Sequence, residues 1–191
     1  DNTKQEYWFN GKWEKTTRKV ETIRVKGGAD VLDTVAYTVF GPVMFDESFS
    51  NDFSDKKNLA VRWAAHDPSN DGVTFYKLNR AKNYDEYANA IKTFDCPGQN
   101  FVFASKTGDI AIWQQGKFPA RWNRQGLYVM PGEDSSYMWQ GFIPQTENPH
   151  SKNPVEGFLQ SANQRPVDCA YPYFIPGSYI TPRGITITNK L

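Results

Sequence analysis

Histidine and cysteine are scarce in this chain of 191 residues, with two of each. His66 and His150 leave little material for a His-based catalytic triad or a His-rich metal site. Cys96 stands in Asp95-Cys96-Pro97-Gly98 and Cys169 in Val167-Asp168-Cys169-Ala170. Neither belongs to a CxxC pair, which argues against zinc. A disulfide and two buried thiols both remain open. No apolar run reaches the roughly eighteen residues of a membrane span. Neither sign of charge dominates, with 22 basic and 21 acidic residues and a net +1. No basic stripe stands out, so nucleic acid is not an expected partner. The polar stretch Asp1-Asn2-Thr3-Lys4-Gln5-Glu6 has no signal-peptide pattern. Gly-x-Ser-x-Gly, P-loop and HExxH motifs are missing too. The carboxylates form no paired pattern that would suggest a glycosidase.

Aromatic residues are plentiful, at 15%. They imply aromatic-rich packing or an aromatic-lined pocket. Hydrophobic residues at 39% and charged residues at 23% fit one globular unit with a proper core. Tyr7-Trp8-Phe9, Asn10-Gly11 and Lys12-Trp13-Glu14-Lys15 predict a hairpin with a two-residue turn. Runs over 20–26 and 31–40, ended by Gly27-Gly28 and Gly41-Pro42, complete a predicted meander. The acidic stretch 46–58 reads as a solvated loop, since the EF-hand spacing for calcium is missing. Residues 59–65 read as a buried strand. Asn83 three residues before Glu86 resembles a capping box, and Tyr84, Tyr87, Ala88, Ile91 and Phe94 recur at helical spacing up to Pro97-Gly98. Runs over 100–105 and 110–115, joined by Lys106-Thr107-Gly108-Asp109, predict the clearest hairpin. The long connection 116–154 is aromatic and rich in Pro and Gly, as functional or surface-wrapping loops are. Residues 157–161 read as a short strand and 162–166 as a polar turn. Strands, then helix, then strands give an α+β class.

By residue type alone, Asn163 is a turn-former and Arg183, in Thr181-Pro182-Arg183-Gly184, a surface charge. A resemblance gives both another reading. The hairpin 7–13 followed by Glu21-Thr22-Ile23-Arg24-Val25-Lys26-Gly27-Gly28 resembles paired strands in the β-chain of penicillin acylases. Ala81-Lys82-Asn83-Tyr84-Asp85-Glu86-Tyr87 resembles that family's helix start, and Thr107-Gly108-Asp109-Ile110 with Gly116-Lys117-Phe118-Pro119 its hairpin. Trp139-Gln140-Gly141-Phe142-Ile143-Pro144 with Asn148-Pro149 resembles a further segment, as does the stretch from Asn153-Pro154 to Asn163-Gln164. Order and approximate spacing hold across nearly the whole chain. Where the family reads Asn-Trp-Asn-Asn, this chain has Ser161-Ala162-Asn163-Gln164, so only the third position keeps its Asn.

The resemblance implies a segment, 1–191, of an N-terminal nucleophile hydrolase β-chain, with part of an αββα architecture: antiparallel strands and hairpins with one or two helices. It implies hydrolysis of an N-acyl amide by a terminal Ser. Since residue 1 is Asp, that Ser is expected upstream, and the 191 residues alone are expected to be inactive. It places the oxyanion-stabilising Asn at Asn163 and the Arg near the nucleophile's amine at Arg183. It implies a periplasmic or secreted setting, the remainder of the parent enzyme as partner, and exposed apolar surface or a homodimer that hides it. No cofactor is expected; the calcium that several family members bind has no matching ligand set in this sequence. The rival reading is a stand-alone aromatic-rich module binding carbohydrate or peptide through aligned, exposed rings.

Overall fold

The computed structural model describes residues 3–45, 58–177, 179 and 182–191. The chain divides into two compact units. One holds the residues up to His66 together with Val129–Met138; the other holds Asp67–Tyr128 and Trp139–Leu191. Among the described residues, three α-helices and three antiparallel sheets make the fold α+β, with one helix more than the one or two expected from the sequence.

In the first unit, β1 (Glu6–Phe9) pairs with β2 (Lys12–Lys15). Asn10 and Gly11 take φ of 49° and 78°, the left-handed pair that a tight hairpin turn demands. Asn10 has a second task. Its Oδ1 accepts the Ser135 amide at 3.0 Å, and its own N–H reaches the Glu133 carbonyl at 2.8 Å. A separate sheet has the order β3 (Thr17–Ile23), β4 (Val31–Thr38), β5 (Gly41–Phe45) and β6 (Leu59–Ala60). The predicted meander is therefore two sheets. Gly41-Pro42 does not end the run but opens β5, because Gly41 sits at φ 114° against Val61, whose carbonyl oxygen lies 2.2 Å from where a Cβ would be. The buried strand expected over 59–65 shrinks to β6. The chain then winds into a short turn at Ala64–His66, and Trp63 is 55% exposed. Val20, Ile23, Val31, Leu32 and Met44 also face solvent, so this unit shows the exposed apolar surface anticipated. The acidic stretch considered for calcium, 46–57, lies outside the described residues.

The second unit contains the main core. β7 (Gln99–Ala104), β8 (Ile110–Gln115) and β9 (His150–Lys152) form a sheet with β8 in the middle. Tyr87 and Ile91 from α2 (Tyr84–Ile91) pack with Ala111 and Trp113 of β8, and Phe101 and Phe103 join from β7. Tyr87 is buried and donates its hydroxyl to the Phe101 carbonyl at 2.7 Å. This helix layer on a sheet is one half of the expected layered architecture.

A variant of the capping box is present: Asn83 Oδ1 accepts the Glu86 amide at 2.9 Å, while the Glu86 carboxylate accepts the Lys82 amide at 2.9 Å, one residue before the cap, and Asn83 Nδ2 at 3.0 Å. The helix ends at Ile91, before Pro97-Gly98, and Phe94 is buried beyond it. Both cysteines are free; Cys96 is half-buried and Cys169 is exposed rather than buried. Within 116–154 the sequence reading missed β9, which pairs with β8 through Ile112 and Ser151. Residues 157–161 form no strand.

Asp71, the first residue of α1 (Asp71–Leu78), ties that helix to the chain after α2 by accepting the Asp95 amide at 2.6 Å. Burial pushes its carboxyl up, but hydrogen bonds from Ser69 and the Asp95 and Cys96 amides outweigh this and hold it below the usual aspartate value. A depressed folded-state value adds stability above the unfolded value near 4 and loses it as pH falls through the folded one. Asp71→Asn is therefore expected to lower the urea midpoint at pH 7, and the gap to the parent chain narrows in strong acid. Asn83→Ala is expected to cost about 1 kcal/mol through the lost helix cap, read by the same urea titration.

Candidate active site

Directly opposed residues on antiparallel strands point to the same face of a sheet. Asn100 opposes Gln114, and Ile112 opposes Ser151. These side chains share the face turned away from α2, while Ala111, Trp113 and Gln115 are buried on the other. The open face mixes polar Asn100, Gln114 and Ser151 with apolar Val102 and Ile112, and the chain crosses it at 160–166. Asn100 Nδ2 donates to Ser161 Oγ at 2.6 Å and fastens the crossing to β7.

Asn163 lies in this crossing at φ 61°. Among non-glycine residues asparagine is one of those that tolerate this region. The flanking geometry is held by Gln164, whose Oε1 accepts the Ala162 amide at 2.6 Å and whose Nε2 donates to the Gln160 carbonyl at 3.1 Å. Ala162 is buried and Asn163 is exposed, so the turn anchors on one residue and presents the next.

The tail beyond this turn contains a helix that sequence reasoning missed, α3 (Pro182–Thr188). Proline at a first helical position was the available signal. Arg183 is its second residue, and its Nη2 donates to Asn163 Oδ1 at 2.5 Å. The two residues singled out in the sequence, twenty positions apart, are thus in direct contact. A guanidinium has donors only, so it must take the amide oxygen. That fixes the orientation of the amide and leaves Asn163 Nδ2, which has no protein partner among the described residues, as a donor.

A cavity of about 290 Å³ opens beside this pair, bounded by Asn163, Gln114, Ser151, Arg165 and Tyr179 among others. Among the described residues, no Asp or Glu lines it. The Tyr179 phenol is pushed up by burial, against the opposing effect of the Arg165 charge, so it stays neutral at ordinary pH. An amide N–H in a carboxylate-free recess beside guanidinium groups can stabilise negative charge developing on an oxygen. Two arginines near one point also oppose protonation of an amine placed there.

Among the described residues, no group of three or more His, Cys, Asp or Glu side chains could hold a metal ion. The side chains around the cavity carry amides, hydroxyls, a guanidinium and the His150 imidazole, a poor set for calcium, and no metal chemistry is assigned to it. No described helix is long and apolar enough to cross a membrane.

The aromatic tail is tied inward rather than displayed. Tyr171 donates to the Glu147 carbonyl at 2.9 Å and Tyr173 to the Glu147 carboxylate.

The chain is 31% identical over 177 residues to an acyl-homoserine lactone acylase QuiP of Pseudomonas syringae pv. tomato, covering 92% of this chain and 21% of that protein. It is 25% identical over 160 residues to penicillin G acylase of Escherichia coli, covering 84% of this chain and 18% of that protein. A solved structure, thermostable penicillin G acylase from Alcaligenes faecalis, superposes with a TM-score of 0.69 at 25% identity, over 90% of this chain and 31% of that one. The chain therefore spans about a fifth of the length of the curated relatives it matches. The profile of the penicillin amidase family matches residues 1–191 from end to end, and the chain belongs to that family.

Proposed function

We propose that residues 1–191 are one segment of the β-chain of an N-acyl amide hydrolase. In this reading the enzyme cleaves the bond between an acyl group and an amine such as a β-lactam nucleus or a homoserine lactone. The relatives' names, penicillin acylase and acyl-homoserine lactone acylase, support that substrate class. The observation that carries the site assignment is the hydrogen bond from Arg183 to Asn163 at the edge of a carboxylate-free cavity.

Each residue has a distinct part. A terminal serine, outside these residues, attacks the acyl carbonyl with its own α-amino group as base. Asn163 Nδ2 donates to the oxygen as it gains negative charge. Arg183 holds the amide by its oxygen and polarises it, which strengthens the N–H as a donor. Its fixed charge also favours the free-base form of the nearby amine. The family setting makes the enzyme periplasmic or secreted in this reading.

The rival binding-module reading needs a row of aligned, exposed rings. Trp8 and Trp13 are exposed, but they meet edge-on at 74° and offer no common flat surface.

Two measurements test the reading. In the active enzyme that carries these residues, Asn163→Ala is expected to lower kcat on an N-acyl 4-nitroanilide by about 10²–10³-fold with KM little changed, the usual cost of one lost oxyanion donor. Undiminished kcat would remove Asn163 from the mechanism. The purified 191-residue chain is expected to release no nitroaniline; turnover by it would show that the nucleophile lies within these residues.

A further inference from the structure

Resting on the reading of Asn163 and Arg183 above, we infer that Gln160 is a positioning residue: its side chain locks α3 to the Asn163 turn and so sets the geometry of the catalytic pair. Gln160 has no role in the chemistry as described. Its Nε2 donates to the Gly184 carbonyl at 3.1 Å and to Thr188 Oγ1 at 2.5 Å. Thr188 Oγ1 in turn donates to the same Gly184 carbonyl at 3.0 Å. Both Gln160 N–H groups and the threonine hydroxyl are then in use. Gly184 follows Arg183 directly, and its backbone is buried against Gln164, whose Cβ lies 3.5 Å from where a Gly184 Cβ would be.

At its other end Gln160 meets the turn itself, because its carbonyl accepts from Gln164 Nε2. Gln164 and Gln160 therefore connect Ala162, just before Asn163, to Gly184, just after Arg183. The Asn163–Arg183 bond closes the ring. Both catalytic partners are exposed, and α3 has only seven residues, too short to hold itself. Without the lock, the bond between Asn163 and Arg183 would be the one described hydrogen bond left to hold α3 to the turn. Gln160 Oε1 is left buried with no partner among the described residues, a cost that packing alone would not select.

Kinetics of the active enzyme on an N-acyl 4-nitroanilide test this, with Asn163→Ala measured first. If Asn163→Ala keeps full kcat, the site reading fails and this inference falls with it. Given the expected loss there, Gln160→Leu should lower kcat about tenfold with KM within about twofold, since small misplacements of a catalytic donor are costly. In an Asn163→Ala background the same change should cause a clearly smaller fall, because only the Arg183 charge is left to position. Parent-like kcat for Gln160→Leu, or a full tenfold loss that persists in the Asn163→Ala background, overturns the inference. Should Gln160→Leu fail to fold, Thr188→Val removes one arm alone. A fall in kcat of about threefold, absent in Thr188→Ser, which keeps the hydroxyl, supports the lock; equal kcat in both overturns it.

Discussion

Packing of α2 on the β7–β8 pair is the constraint on which the second unit rests. Tyr87 and Ile91 are almost wholly buried against Ala111 and Trp113, and the Tyr87 hydroxyl closes the contact on the Phe101 carbonyl. A phenol buried this deeply must find an acceptor, so the helix docks in one register on the sheet rather than sliding over it. The sheet then presents Asn100 at a fixed place, and Asn100 fastens the turn that carries Asn163. Removing the helix would release the opposite face as well.

The parts of this fold that were legible in the sequence are local ones. Asn10-Gly11 and the β7–β8 hairpin announce themselves because turn chemistry and strand alternation lie within a dozen residues of each other. The cap at Asn83 is likewise self-contained. β9 was missed because His150-Ser151-Lys152 is short and polar; it is a strand only because β8 offers it a ladder. In α3, Ile185-Thr186-Ile187-Thr188 alternates with period two and is β-branched throughout, which reads as strand. Tertiary contacts and threonine hydroxyls bonded back to Pro182 and Gly184 impose the helix instead.

The site shows the same division. Asn163 and Arg183 were reached only through resemblance, since a turn asparagine and an isolated arginine carry no pattern of their own. Their contact across twenty positions depends on α3, which no window of sequence revealed. Gln160 was read as part of a strand and Gln164 as part of a polar turn. A glutamine that holds backbone looks like any other polar residue until its partners are known. The pair relies on amide orientation, which a donor-only neighbour enforces.

Strand β8 separates two kinds of obligation along six residues. Ala111, Trp113 and Gln115 face the helix, while Ile112 and Gln114 face the cavity. Substitution at the second set can reshape what the recess accepts while the hydrophobic interior stays intact, and substitution at the first can retune robustness while the recess keeps its lining. Because neighbours in sequence answer to different demands, the lining of the recess has a route to divergence that does not pass through a destabilised intermediate.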